Sequence, residues 1–351
     1  MRKISKVNQE VDKTYKIDFV VPWVDSSDPI WIEQYNYYRP EKPITDRGRF
    51  RNIDIFQYWF RAVERYAPWV NKVYLITNGT FPKWINSECP QLVMVSHKDY
   101  IPEEFLPTFN SITIEMNMDK IPELSEHFVY FNDDMYLNAP AKPDDFFRDG
   151  LPCDCNAETV FASPWYDPID GFNIKIHQYC DMAVLNRHFD RRITVRQAWK
   201  KWMGPHLWRK SFLSTLLLTL TKISSFEFFR LRHWEQPMLK SVIREIWEKE
   251  PQFVTESCSR FRKDVSINQY LIQYWQFASN RFYPTNWETG KYISLSTASI
   301  EEACRILREE EYKSICLNDN PLCTDEDAVI VERALQQTFE KKFPNKSIFE
   351  K

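Results

Sequence analysis

Four short apolar runs recur before residue 132, and each closes on a polar cluster. "IDFVVPWV" (17–24) precedes "DSSDP"; "NKVYLIT" (71–77) precedes Asn78-Gly79; "QLVMVS" (91–96) precedes His97-Lys98-Asp99; "HFVYF" (127–131) precedes Asn132-Asp133-Asp134. Their β-branched and aromatic residues, in runs of this length, predict strands. Near-continuous apolar strands suit a sheet covered on both faces. Helical patterns fill the gaps. Asp28-Pro29 predicts an N-cap and first helical residue for a helix over 29–38. Ile53, Phe56, Phe60, Val63 and Tyr66 fall on one face of a helix over 53–66, and 111–121 is a third candidate. Alternating strands and helices predict an α/β fold with a mostly parallel central sheet flanked by helices. Ligands of such sheets bind beyond the carboxyl ends of the strands. Asp25, Asn78, His97, Asp99, Asn132, Asp133 and Asp134 would then share one rim.

Beyond residue 140 the pattern is less regular. "APAKPDDFFRDGLP" reads as loop, and residues 196–256 read as mainly helical. Ser299 with Glu302 has the form of a capping box, and Thr324 opens a last amphipathic helix. The expected division is an N-terminal extension (1–16), a catalytic domain (17–320) with a helical insertion over 196–256, and a C-terminal amphipathic helix (321–351).

Composition narrows the functional classes. The 351 residues are 43% apolar and 16% aromatic, which supports a packed core and argues against disorder. A net charge of -3 gives no reason to expect a nucleic-acid partner. With six glycines and neither a GxGxxG nor a P-loop pattern, any bound nucleotide lacks a glycine-rich cradle. Eight cysteines without a CxxC pair read as reduced thiols in a cytosolic protein, and the first residues carry no signal-peptide pattern. The run Phe212–Leu220 falls short of the ~20 residues of a membrane span and is expected to form a buried helix. Its flanks, Arg209, Lys210 and Lys222, keep interfacial membrane contact as the alternative.

The chemistry concentrates on Asp133 and Asp134, which repel each other if both are ionised in a dry site. A divalent cation relieves that repulsion, and Mg²⁺ or Mn²⁺ characteristically links one or two carboxylates to substrate phosphates. The alternative is a solvated turn, since Asn and Asp are turn residues. "RFR" occurs at 49–51 and 260–262, and the arginine fork matches phosphate oxygens as well as it matches a surface carboxylate. His206, in "MGPHLWRK", has cationic neighbours that favour the neutral imidazole a general base requires.

Together these segments resemble the Stealth family, which includes capsular-polysaccharide sugar-1-phosphate transferases and the catalytic part of N-acetylglucosamine-1-phosphotransferase. "IDFVVPWVDSSDPIW" (17–31) is similar to its first block. "RFRNIDIFQYWFRAVERYAPWVNKVYLITNGTFPKWIN" (49–86) with "HKDYIPEEFLPTFNSITIEMNMDKIPELSEHFVYFNDDMYL" (97–137) is similar to the second. "GPHLWRKS" (204–211) with "SRFRKDVSINQYLIQYW" (259–275) is similar to the third, and "ICLNDN" (315–320) to the fourth. Ser26 stands where the family usually has Gly, and Asn52-Ile53-Asp54-Ile55 replaces its usual continuation after RFR.

The resemblance implies a Rossmann-like or GT-A-like nucleotide-sugar fold with a helical C-terminal half. It implies transfer of hexose-1-phosphate or N-acetylhexosamine-1-phosphate from a UDP-sugar to an oligo- or polysaccharide hydroxyl, with release of UMP. Asn132, Asp133 and Asp134 would hold Mg²⁺ (or Mn²⁺). His206 would take the acceptor proton, with direct attack on phosphorus as its alternative role. Arg260 and Arg262 would clamp phosphate, and Asp25 would be a further catalytic residue lining the donor pocket. Trp23, Asn78, Arg51, Asn110, Asn318 and Asp319 would contact the donor. The implied setting is cytoplasmic, with peripheral contact at the cytoplasmic membrane or capsule-export machinery. A metal-dependent glycosyltransferase releasing UDP and a non-catalytic paralogue are the competing readings.

Overall fold

The computed structural model describes residues 15–39, 41, 53–160, 171–207, 211–286, 289–320 and 323–351. The four apolar runs become β1 (Ile17–Pro22), β2 (Val73–Thr77), β3 (Leu92–Ser96) and β4 (His127–Tyr130). β1 pairs in parallel with β2 and with β4, and β2 pairs in parallel with β3. The sequence-predicted parallel sheet is therefore present. Phe19, Val20, Val21, Leu75, Ile76, Phe128 and Val129 are inaccessible to solvent, so both faces of the sheet are covered. Burying each such side chain contributes about 1.5–3 kcal/mol.

The helix α1 (Pro29–Tyr38) begins as the sequence predicts: Asp28 caps it by accepting from the Ile30 amide at 2.9 Å. Its second carboxylate oxygen accepts from Thr80 Oγ1 at 2.7 Å, tying the β1 exit loop to the β2 exit loop. α2 (Phe56–Tyr66) buries Phe56, Phe60, Val63 and Tyr66. α3 (Ser111–Met116) is shorter than expected; a 3₁₀ turn at Met118–Lys120 follows it.

The region 196–256 is mainly helical, with the helix α4 (Phe212–Leu220) and the helices Lys240–Lys249 and Pro251–Ser257. It also supplies β5 (Gln236–Leu239), which pairs antiparallel with β4 and completes the sheet order β5-β4-β1-β2-β3, so it belongs to the main sheet as well. Pro237 masks this strand in the sequence, and an edge position is where a sheet tolerates proline. Just before this region, the helix Arg191–Gln197 is capped by Asp190. The run 212–220 is not a buried helix either. Leu213, Leu217 and Leu220 are exposed, whereas Thr215 and Leu218 are buried.

The expected capping box at Ser299 does not form: Ser299 Oγ donates to the Ser294 carbonyl at 2.7 Å instead. Thr324 does cap the last helix, α5 (Asp325–Lys342). That helix is not set apart from the rest. Phe339 stacks on Tyr58 of α2 at 5.2 Å, and Arg61 pairs with Glu350 at 2.7 Å, so the C-terminal residues close over the same core. Among the described residues no helix is long and apolar enough to cross a membrane.

Candidate active site

The strand order places a topological switch in the sheet. From β1 the chain adds β2 and β3 on one side, then returns to place β4 on the other. The crevice at such a switch, beyond the carboxyl ends of the two strands, is where open α/β sheets bind ligands. Its two walls are the loop after β1, with Asp25, and the loop after β4, with Asn132, Asp133 and Asp134. Asn78 follows β2 on the same rim and accepts from the Thr80 amide at 3.2 Å.

After four residues beyond the end of β4 the chain pairs again. Met135–Leu137 runs antiparallel to the strand Ser314–Asn318, which pairs in parallel with Gly290–Ser294. The acidic loop is thus pinned between two sheets. The Leu317 amide donates to the Asp134 carbonyl at 2.8 Å, which brings Asn318 and Asp319 beside the acidic pair. Asp133 is exposed by area, yet the protein around its carboxyl is dense enough to push it up to about 7. Desolvation is the larger cause and the Asp134 charge the second. Asp134 accepts from the Cys316 thiol at 3.3 Å through Oδ2, while its Oδ1 is buried without a hydrogen-bond partner. A desolvated carboxyl beside a buried, unsatisfied carboxylate oxygen is a donor set suited to a hard divalent ion.

The sequence reading missed a histidine here. His233 Nε2 lies 3.9 Å from Asp134 Oδ2, and its Nδ1 is 2.9 Å from the Tyr270 hydroxyl. Asp134, His233 and Cys316 place one ligand atom each within 4.8 Å of one another. Cys316 is a poor ligand: burial and the neighbouring carboxylates hold its thiol well above the ordinary range, so it stays protonated and donates to Asp134. The signal for His233 was its place in "RLRHWEQP" just before β5, which is visible only once that segment is known to be a strand of the main sheet.

Glu115 and Tyr130 form a second, deeper layer. The Tyr130 hydroxyl is 2.8 Å from Glu115 Oε1 and 2.7 Å from Asn132 Oδ1. One hydroxyl proton cannot serve both oxygens. Burial pushes the Glu115 carboxyl up to about 7. Glu115 Oε2 is buried without a hydrogen-bond partner, so this layer holds an unsatisfied carboxyl oxygen beneath the acidic loop. Arg262 supports this layer: it acts on Glu115 electrostatically and donates to Ser111 Oγ at 2.7 Å.

Other expected site residues lie elsewhere or are already engaged. Arg260 does not face the rim. It donates to the carbonyls of Pro107 (3.1 Å) and Leu106 (2.8 Å), and its guanidinium sits 3.9 Å from the centre of the Tyr38 ring. Asn110 is buried; it accepts from the Ile112 amide and donates to the carbonyls of Ser257 and Ser259. Both hold loops together through these bonds. Trp23 stacks on Phe56 at 5.9 Å, and Asp25 Oδ1 accepts from the Ser27 amide and hydroxyl. Arg51 lies outside the described residues.

His206 faces a cleft that the acidic loop does not line. It lines a cleft of about 710 Å³ with Leu137, Arg148, Lys200, Glu235 and Tyr283, and Asn132, Asp133 and Asp134 are not part of that lining. Its Nε2 is 3.0 Å from Asn156 Oδ1. Its imidazole is held neutral, pushed down to about 4, by burial rather than by the cationic neighbours that the sequence suggests.

Comparison with known proteins now bears on these residues. Conserved region 1 of the Stealth proteins matches residues 15–43, conserved region 2 matches 49–153, and conserved region 4 matches 305–351. Capsular polysaccharide phosphotransferase WcwK of Streptococcus pneumoniae is 36% identical over 341 residues, covering 95% of this chain and 99% of the relative. The chain belongs to the Stealth family. Its relatives include the receptor polysaccharide phosphotransferase WefC of Streptococcus gordonii, 35% identical over 347 residues (95% and 99% covered). The exopolysaccharide phosphotransferase cps2G of Lactiplantibacillus plantarum is 35% identical over 340 residues (96% and 97% covered). This Stealth protein is accordingly a transferase. Regions 1, 2 and 4 contain Asp25, the Asn132–Asp134 loop, and Cys316 with Asn318 and Asp319, the segments that meet at the rim. The fourth region runs through α5, in keeping with that helix's place in the common core. A crystal structure of the glycosyltransferase GlyE of S. pneumoniae aligns over 91% of this chain and 78% of its own at 12% identity, with a TM-score of 0.25, too low to inform the fold.

Proposed function

We propose that this Stealth protein transfers a sugar-1-phosphate from a UDP-sugar to a hydroxyl of a growing polysaccharide, releasing UMP and leaving a phosphodiester. The observation that carries the proposal is the meeting of Asp133, Asp134 and His233 at the switch point of a parallel sheet. Its relatives' names, phosphotransferases of capsular, receptor and exopolysaccharides, agree with that chemistry. On this reading the sheet is a nucleotide-sugar fold, with the donor lying between the β1 and β4 exits.

Phosphoryl transfer depends mainly on positioning and charge neutralisation. Asn132, Asp133 and Asp134 would hold Mg²⁺ or Mn²⁺, which when bound offsets the charge of the diphosphate. The chain's own groups do the remainder. Cys316 and the Leu317 amide fix the orientation of Asp134. Tyr130 fixes Asn132. Tyr270 holds His233 so that Nε2 faces the acidic side of the crevice, where it takes the proton of the acceptor hydroxyl. His233 replaces His206 in that role because His206 lines a different cleft. Arg262, at the α3 edge of the crevice, stabilises phosphate oxygens in the transition state.

Incubation with Mg²⁺, a panel of UDP-sugars and short oligosaccharides tests this directly. UMP release and a new phosphodiester ³¹P signal are expected; UDP release would establish glycosyl transfer instead.

A further inference from the structure

The helix α4 buries hydroxyls on its inner side and leaves most of its leucines outside. Thr215 is fully buried beside Leu218, and Thr219 Oγ1 donates to the Thr215 carbonyl at 2.7 Å. The cause is a buried ion pair. Arg191 holds Glu158 through two bonds of 2.6 and 2.7 Å, both side chains are inaccessible, and the same Arg191 Nη2 also reaches Thr219 Oγ1 and the Thr215 carbonyl. Satisfying a buried charge requires the hydroxyl face of α4, so the leucines are left outside. Leu213 is 79% exposed, Leu217 51% and Leu220 69%, at the i, i+4 and i+7 positions of one stripe.

Along the chain, the charge on either side of this stripe is one-sided between Asp190 and Glu227. From Arg191 to Phe226 the chain carries eight lysines and arginines and no acidic residue. Arg196 and Lys200 on the preceding segment and Lys222 just after α4 are exposed. An apolar stripe on a nine-residue helix, with cations at its flanks, fits a surface that is apolar below and anionic above.

We propose that α4 docks this protein peripherally on an anionic lipid bilayer, with Leu213, Leu217 and Leu220 inserted at the headgroup–acyl boundary and Arg196, Lys200 and Lys222 on lipid phosphates. Insertion removes the leucines from water, and the lipid phosphates match the cations.

The test is co-sedimentation of the full chain with vesicles, without donor or acceptor, so its outcome is independent of the transfer reaction. Vesicles of phosphatidylcholine with phosphatidylglycerol (1:1) are compared with phosphatidylcholine alone at low and high salt. Binding to the anionic vesicles is expected to exceed binding to the neutral ones by on the order of tenfold at low salt, and to weaken with salt. The triple variant Leu213→Ser/Leu217→Ser/Leu220→Ser is expected to lose at least about tenfold in partitioning while keeping its circular dichroism and its UMP release from soluble substrates. Arg196→Glu/Lys222→Glu is expected to remove most of the salt-dependent part. Failure of the wild type to bind anionic vesicles, or equal binding by the triple variant, would overturn the proposal. So would a wild-type dimer that the triple variant converts to monomer with no vesicle binding by either, because the stripe would then be covered by a second copy.

Discussion

Removing the His233 imidazole is the perturbation that best separates this mechanism from one built on His206. His233 Nε2 stands 3.9 Å from Asp134 Oδ2, longer than a hydrogen bond, and its ring is aimed by the Tyr270 hydroxyl at 2.9 Å. A base so placed contributes roughly 10²–10⁴ in kcat, or about 3–5 kcal/mol of barrier at 1.36 kcal/mol per decade. His233→Ala should therefore lower kcat by about that factor. The ring is partly exposed and makes one hydrogen bond, so the melting temperature should change little. Tyr270→Phe removes only the aiming bond, worth about 1 kcal/mol, and should lower kcat by roughly fivefold. His206→Ala opens a bond to Asn156 in a separate cleft and should lower kcat by less than about tenfold, outside the range of a lost general base. The assay is initial-rate UMP release at saturating donor, with circular dichroism confirming the fold of each variant. A His206→Ala enzyme that is folded and inactive, beside a His233→Ala enzyme of near wild-type rate, would refute the reasoning.

Other expected outcomes follow from the same contacts. Arg191→Met strands the Glu158 carboxylate in the interior and should cost about 3–5 kcal/mol in denaturant unfolding; an unchanged midpoint would mean that the pair is replaceable at no cost. Arg260→Ala should lower stability by about 1–3 kcal/mol through the freed Leu106 and Pro107 carbonyls, whereas Arg262→Ala should lower turnover with little change in melting. The reverse pattern would exchange their roles. His97 is buried and its imidazole is pushed down to about 4, so below its unfolded value near 6.5 the unfolded chain binds the extra proton. Stability should fall as pH drops from 6.5 toward 4, by up to about 3 kcal/mol from this group. His97→Gln should flatten that window; unfolding midpoints that keep the same pH slope would disprove the assignment.

The parallel sheet was readable from the sequence because each strand is apolar on both faces and stops at a polar cluster. Asp28-Pro29 fixed the start of α1 by local chemistry alone, and the structure begins the helix there. The acidic loop was readable because two adjacent carboxylates closing a buried strand repel each other until a cation comes between them. His233 was not. The strand that follows it carries Pro237, and its partners Asp134, Tyr270 and Cys316 are distant in sequence, so nothing local marks it. His206 drew attention through its charged neighbours, yet burial sets its protonation. Arg260 and Asn110 belong to the segments that resemble the family but stabilise backbone, a distinction that only hydrogen-bond partners reveal. The leucines of 212–220 read as core because hydrophobicity does not encode which face a buried ion pair will claim.

The central claim is that the loop after β4 gathers a divalent ion and the donor diphosphate in one crevice. Mn²⁺ titration followed by electron paramagnetic resonance, with and without UMP, measures this without turnover. The account predicts one site in the wild type, tightened by UMP and weakened by at least about tenfold in Asp133→Asn and Asp134→Asn. Wild-type Mn²⁺ affinity in both variants, unaffected by UMP, would contradict it.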